Sequence, residues 1–267
     1  MADAIRVKPG SKVKLKDIDP DDTGGLKDRA AAQEQLAADR KEMFDLQERL
    51  YAENKRSLLI VLQAMDTGGK DGTVKHVLSG LNPTGVEINS FKAPSEEERD
   101  HDFLWRIALR LPRRGNIGLF NRSHYEDVLV VRVMNLAPKD VWEPRYDIIN
   151  RWEEILTDTG TTVLKIFLHI SKDEQKRRLE ARLADKSKTW KFDPGDLVAR
   201  ERWDEYQSAY EAVLSKCSTR HAPWHIVPAN KKWYRNLAVA RRVVETLRDM
   251  DPKPPKVDFD PAKIKVV

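Results

Sequence analysis

The sequence predicts an α/β fold, a parallel sheet covered by helices on both faces. Three observations carry this. Short apolar runs alternate with stretches of helical spacing along most of the chain. The runs are continuously apolar, as strands buried on both faces require. One of them, "SLLIVL", ends at a Gly-rich turn, "DTGGKDG", that opens onto a helical stretch.

The elements follow in order. Residues 1–25 are polar and carry Pro9, Gly10, Pro20, Gly24 and Gly25, so they read as an extended arm. Residues 26–54 place Leu36, Met43, Leu46 and Leu50 at helical spacings, for packing on the domain or on a second subunit. "SLLIVL" is the first core strand, and residues 70–80 form the helix after the turn. "VEINSF" is the next strand. Ser95 with Glu98 makes a capping box for a helix running through Leu111. "NIGLF" is a further strand, and residues 139–158 are helical. "TTVLKIFLHI" is rich in β-branched residues and is the strongest strand. Ser171 and Glu174 form a second capping box, "WHIVP" is the last strand, and residues 231–248 close the fold as a helix. The domain thus covers residues 26–250, and the Pro- and Lys-rich residues 251–267 form a loose tail.

Composition narrows the function classes. The 267 residues suffice for a substantial core. Lysine and arginine number 48 against 43 acids, a balance of +5 that suits a protein handling anions without choosing among them. The single cysteine, Cys217, excludes an intramolecular disulfide and a thiolate zinc cluster, and is read as inert packing. No apolar run reaches the roughly 18 residues of a membrane span. The start, "MADAIRVKPGSKVKLKD", lacks the apolar centre of a signal peptide, so a cytoplasmic protein is expected.

The Gly-rich turn is a P-loop with two letters changed. The usual pattern is G-x-x-x-x-G-K-[ST]. Gly69 and Lys70 supply the G-K, Ala64 stands at the first Gly position, and Asp71 stands where Ser or Thr is usual. Placed between strand and helix, the turn offers free N–H groups and the positive end of the helix dipole. Gly68 and Gly69 let the backbone approach a phosphate, Lys70 adds a point charge, and Thr67, Gly72 and Thr73 complete the turn. With the metal-binding hydroxyl missing, Asp66 is the expected Mg²⁺ ligand, since Mg²⁺ favours hard oxygen donors. Asp71 is read as favouring the helix start. The plain alternative is a polar turn ahead of a helix.

A second acidic group follows the "NIGLF" strand, in "FNRSHYEDV". Ligands of open α/β sheets sit beyond the carboxyl ends of strands. Asn121 and Arg122 fall there, and Arg122 can grip a phosphate through two nitrogens. Asp127 or Glu126 would bind the metal or accept a proton, and both would otherwise cap the next helix. His124 is read as a structural histidine. In "DEQKRRLEARLADKSKTWKFDPGDL", Arg178 and Arg182 are four apart and share a helix face. Lys186, Lys188 and Lys191 follow in a loop, where small-nucleotide kinases carry a mobile lid. Trp190 and Phe192 would stack on a base or pin that lid.

Taken together, "LQAMDTGGKDGT", "FNRSHYEDVLVVRV", "FLHISKDEQKRRLEARL", "WKFDPGDL" and "APWHIVPANKKWYRN" resemble the polyphosphate kinase 2 family over about residues 30–248. The resemblance implies a P-loop kinase core with a helical lid at about residues 175–200. It also implies Mg²⁺-dependent phosphoryl transfer (Mn²⁺ as substitute) between inorganic polyphosphate and AMP, ADP or ATP, with guanine nucleotides left open. It further implies a homo-oligomer, a dimer or tetramer, with no nucleic-acid or membrane partner. By the same resemblance Asp66 is the loop acid, Lys70 the loop lysine, Arg122 the basic residue after the strand and Arg178 a lid arginine. Asn121 departs from the family's Asp, which puts compensation on Asp127 or Glu126. "NRSHYED" looks most like the subgroup acting on both nucleoside mono- and diphosphates. Lys75, Arg132, Lys231 and Arg235 are candidates for a basic track along a long polyanion. Catalytic roles therefore fall on Asp66, Lys70, Arg122, Asp127 and Arg178, with Arg182 and Lys191 touching phosphate or nucleotide and Asp66 with Asp127 holding the metal. An ATP-dependent nucleoside monophosphate kinase is the alternative.

Overall fold

The computed structural model describes residues 3–259 and 263–264. The helices are α1 (Arg29–Glu53), α2 (Lys70–Val77), α3 (Glu96–Asp100), α4 (Trp105–Ala108), α5 (Val130–Val133), α6 (Lys139–Trp142), α7 (Arg145–Asp158), α8 (Lys172–Ala184), α9 (Gly195–Glu201), α10 (Trp203–Lys216) and α11 (Lys232–Met250). The strands are β1 (Ile5–Arg6), β2 (Ser57–Ala64), β3 (Val86–Ser90), β4 (Ile117–Asn121), β5 (Thr161–His169) and β6 (Trp224–Pro228). They form one sheet in the order β1-β6-β5-β2-β4-β3.

All pairings are parallel except β1 on β6, which is antiparallel. Every residue of β2 and of β6 is buried, which is why their sequences are apolar without alternation. The chain leaves β2 for β3, returns to β4 on one side of β2, then crosses to β5 on the other. The carboxyl end of β2 is therefore flanked by the two ends where the strand order reverses, the usual place for a ligand in such sheets. Among the described residues no helix is long and apolar enough to cross a membrane.

Residues 3–25 run over the domain. Ile5–Arg6 extends the sheet edge, Leu15 is fully buried, and the Val13 and Leu15 N–H groups donate to Ser215 Oγ and Glu211 Oε1. The long α1 is capped by Asp28, whose carboxylate accepts from the Ala30 and Ala31 N–H groups, and ends at Asn54 in the left-handed conformation. It packs along α11, burying Met43, Leu46 and Leu50 in the domain core.

Two expected helices are each divided. Ser95 and Glu98 do form the reciprocal capping box, but that helix stops at Asp100. His101 turns extended, and the Asp102 carboxylate takes the Leu104 N–H to start a separate turn. The 139–158 helix breaks into α6 and α7 at Pro144, which has no N–H to continue the ladder. At Ser171 only half of the box forms, because the Glu174 carboxylate is taken by Arg178 and Arg177. Sequence reading passed over α10, although Trp203, Tyr206, Tyr210, Val213 and Leu214 have the spacing of a buried helical stripe.

Candidate active site

The loop after β2 is shaped for an anion. Gly68 is required because a Cβ would lie 2.5 Å from the Ala64 Cβ. Gly69 has φ +103°, and a Cβ there would lie 1.9 Å from Arg235 Nη1. Thr67, with φ +60°, holds a strained turn of the kind that persists where surroundings over-determine it. Its Oγ1 is buried without a hydrogen-bond partner. Thr73 donates its hydroxyl to the Gly69 carbonyl at 3.0 Å and tightens the first turn of α2.

Three cations surround this turn. Lys70, nearly buried, donates to the carbonyls of Ala64 at 2.9 Å and Met65 at 3.4 Å. Burial, reinforced by the Arg122 charge, pushes its pKa below that of an ordinary lysine. Arg235 is only 2% exposed, and its bonds go to the neutral Asn236 Oδ1. Burial and the neighbouring Arg178 lower its pKa to about 10. Arg178 donates to the Thr67 carbonyl at 3.0 Å and the Ala229 carbonyl at 2.6 Å, with Nε on Glu174 at 2.6 Å. Sequence reading sends Arg178 from the lid to the transferring phosphate. In the structure its three nitrogens brace the loop against Glu174 and the chain just after β6. The Gln175 amide donates to the Asp66 carbonyl and braces it further.

The acids are arranged on the opposite side. Arg122 follows β4 with φ +63°, donates to Asp66 Oδ1 at 2.5 Å and lies 3.9 Å from Glu126. Burial alone would lower its pKa, but Glu126 and Asp66 outweigh that and raise it. Asn121 donates to Asp71 Oδ1 at 2.8 Å and so holds the loop acid beside Lys70. Asp127, assigned to the metal with Asp66, faces elsewhere: its carboxylate pairs with Arg145 at 3.0 Å, and Arg145 also covers the Phe103 ring. The acid on the Asp66 side of Arg122 is Glu126, one residue earlier, because the short helical turn after Ser123 sends consecutive side chains in different directions.

Burial pushes Asp127 up to about 6 despite Arg145. An acid raised on folding binds its proton more tightly folded than unfolded. Its contribution to stability is complete below its ordinary pKa near 3.8 and is lost as pH rises through about 6. Asp127→Asn is therefore expected to flatten the decline in Tm between about pH 4 and pH 7 by a few degrees. Superimposable melting profiles of the two proteins would contradict this.

The α8–α9 side carries further groups. Arg182 donates to Asp196 at 3.2 Å and to the Lys191 carbonyl at 3.4 Å. Lys191 lies over the ring of Trp190, itself 77% exposed. Burial and then the Asp66 charge raise Asp196 to about 6, so α9 presents an acid toward the loop. Tyr210 of α10 donates its hydroxyl to the Ala64 carbonyl at 2.9 Å. Asp196, Tyr210 and Gln175 were not singled out from sequence, and Glu174 only as a capping residue. Only the α10 stripe carried a signal, its buried aromatic spacing.

An anion-shaped turn between strand and helix, flanked by buried cations and an arginine-bound pair of acids, defines a phosphotransferase of the P-loop kinase type. The chain belongs to the polyphosphate kinase 2 family, whose model, described as Polyphosphate kinase 2 (PPK2), matches residues 26–255. It is 51% identical over 262 residues, 98% of both chains, to the AMP/ADP-polyphosphate phosphotransferase of Meiothermus ruber. It is 46% identical over 220 residues to the ADP-polyphosphate phosphotransferase of Rhodopseudomonas palustris, covering 78% of this chain and 76% of that one. The crystal structure of polyphosphate kinase 2 from Arthrobacter aurescens TC1 superposes with a TM-score of 0.91 at 46% identity, covering 98% of this chain and 97% of that one.

Proposed function

We propose that this protein transfers the terminal phosphoryl group of inorganic polyphosphate to AMP and ADP, giving ADP and ATP, with Mg²⁺ as the metal. The observation that carries the reading is Arg235. It is a buried arginine whose bonds go to a neutral amide, it lies over Gly69 and Gly72, and it has Arg178 beside it. Cations gathered without a matching set of carboxylates call for a polyanion. The names of the relatives supply its chemistry.

In the transfer an oxygen of the acceptor's terminal phosphate attacks the terminal phosphorus of the chain. The bridging P–O bond breaks, and the chain leaves one unit shorter. Charge spreads over the equatorial oxygens, so positioning and electrostatics suffice. Lys70, the α2 N-terminus and the Thr67 hydroxyl face the donor phosphates, while Arg122 lies between the loop and the acids. Among the described residues no set of three or more Asp, Glu, His or Cys side chains is gathered to cage a metal. Asp66 and Glu126, both on Arg122, fit Mg²⁺, which takes one or two carboxylates and fills its shell with water and phosphate oxygens. Mn²⁺ would fit the same donors. When bound, the metal would neutralise charge building on the bridging and equatorial oxygens.

Product analysis after mixing the protein with Mg²⁺, polyphosphate and AMP is expected to show ADP and then ATP. Activity with ATP as the sole accepted donor would overturn the proposal. Arg235→Gln is expected to raise KM for polyphosphate by roughly tenfold with little change in kcat, because a donor-side contact acts alike in ground and transition states. A kcat loss with KM unchanged would place Arg235 elsewhere in the reaction.

A further inference from the structure

Beneath the turn that carries Arg122 and Glu126 lies a polar cluster fully shielded from solvent. Glu153 of α7 and Lys165 of β5 have no exposed side-chain surface. Lys165 Nζ donates to Glu153 Oε2 at 2.5 Å, to the Tyr125 hydroxyl at 2.9 Å and to the Cys217 carbonyl at 2.6 Å. Tyr125 donates its hydroxyl to Glu153 Oε1 at 2.8 Å, and His124 Nε2 lies 3.2 Å from the same oxygen. Trp224 and Trp152 close the cluster with ring contacts to Tyr125 and His124.

Stability does not explain these charges. A buried ion pair is expensive to desolvate, and well-packed apolar replacements are often neutral or stabilising. Its connections suggest another reason. Tyr125 and His124 hang downward from the turn whose other side chains, Arg122 and Glu126, approach each other above it. Ser123 Oγ accepts the Tyr125 N–H and the Gln63 amide, tying the same turn to β2. Arg122 itself has φ +63°, a conformation that a residue with a side chain keeps only where its surroundings impose it.

We propose that Tyr125, Glu153 and Lys165 are positioning residues that lock the turn after β4, so that Arg122 and Glu126 meet Asp66 at the phosphate loop. None of the three touches substrate. Each acts through Arg122 and Glu126, and a misplacement of about 1 Å at reacting groups lowers turnover up to roughly 10²-fold.

The test rests on the proposed reaction only for its assay, and wild-type turnover with polyphosphate and AMP, run alongside, checks that reading separately. Two variants are compared with it. Tyr125→Phe removes only the shared hydroxyl, and the double variant Glu153→Leu with Lys165→Met replaces both charges by apolar groups of similar volume. The expected result is a kcat lowered roughly fivefold in the first and tenfold or more in the second. KM for AMP and for polyphosphate should stay within about twofold, and circular dichroism should be that of the wild type. A purely structural role would lower Tm and leave kcat per folded molecule unchanged. Unchanged kcat in either folded variant overturns the proposal. If the double variant fails to fold, Tyr125→Phe alone decides.

Discussion

Lys70→Met is expected to lower kcat for polyphosphate-dependent phosphorylation of AMP by roughly 10²–10³-fold, the loss typical of one preorganised transition-state donor. The methionine keeps the apolar stem, and the Ala64 and Met65 carbonyls that Lys70 serves retain the Tyr210 hydroxyl and the Gly68 N–H as donors. Folding should not suffer. Burial lowers the Lys70 pKa, so the folded state holds that proton less tightly than the unfolded chain does. For such a group the penalty is present below its ordinary pKa of 10.5, hence throughout the neutral range, and removing the charge removes it. Tm at pH 7.5 is thus expected to hold or rise while activity collapses. A variant that loses activity and several degrees together would show a structural defect, and kcat within tenfold of wild type would remove Lys70 from the reaction.

Asp66→Asn is expected to have a loss of similar size, for two coupled reasons. The carboxylate is the metal donor proposed on the loop, and it also holds Arg122 at 2.5 Å. Half-saturation with Mg²⁺ should therefore move to higher concentration, while saturating Mg²⁺ leaves kcat depressed. Because Asp66 and Arg122 act as one unit, a double variant with Arg122→Gln should lose little more than the worse single variant. A full cycle of kcat measurements checks this. Losses that simply multiply would mean that the two side chains act independently.

Much of the site was legible because its parts are local. The turn from Asp66 to Thr73 needs two glycines, a lysine and a helix start at fixed spacing, and all are neighbours in sequence. Arg122 was legible for the same reason, falling at a strand end beside an acid cluster. What misled was direction. A helix of four or five residues sends Glu126 and Asp127 to different neighbours, and spacing does not say which of them turns toward Asp66 and which toward Arg145. Arg178 lies on the α8 face toward the loop, but there it meets the Thr67 and Ala229 carbonyls, just past β2 and β6 and far from it in sequence. The divided helices at His101 and Pro144 show the limit at the local scale, where one extended residue or one missing N–H outweighs a long helical pattern.

Alone, the amino-acid sequence determined the strand–helix order, the phosphate turn and the family to which the chain belongs, since each is written in short-range spacing and residue type. The tertiary structure alone decided that β2 lies between β4 and β5. It also decided that Arg235 hangs over Gly69, and that Glu126 rather than Asp127 shares Arg122 with Asp66. The reason is physical: a buried charge takes its role from whichever groups the packed core sets within a few ångströms of it, and those groups come from distant parts of the chain.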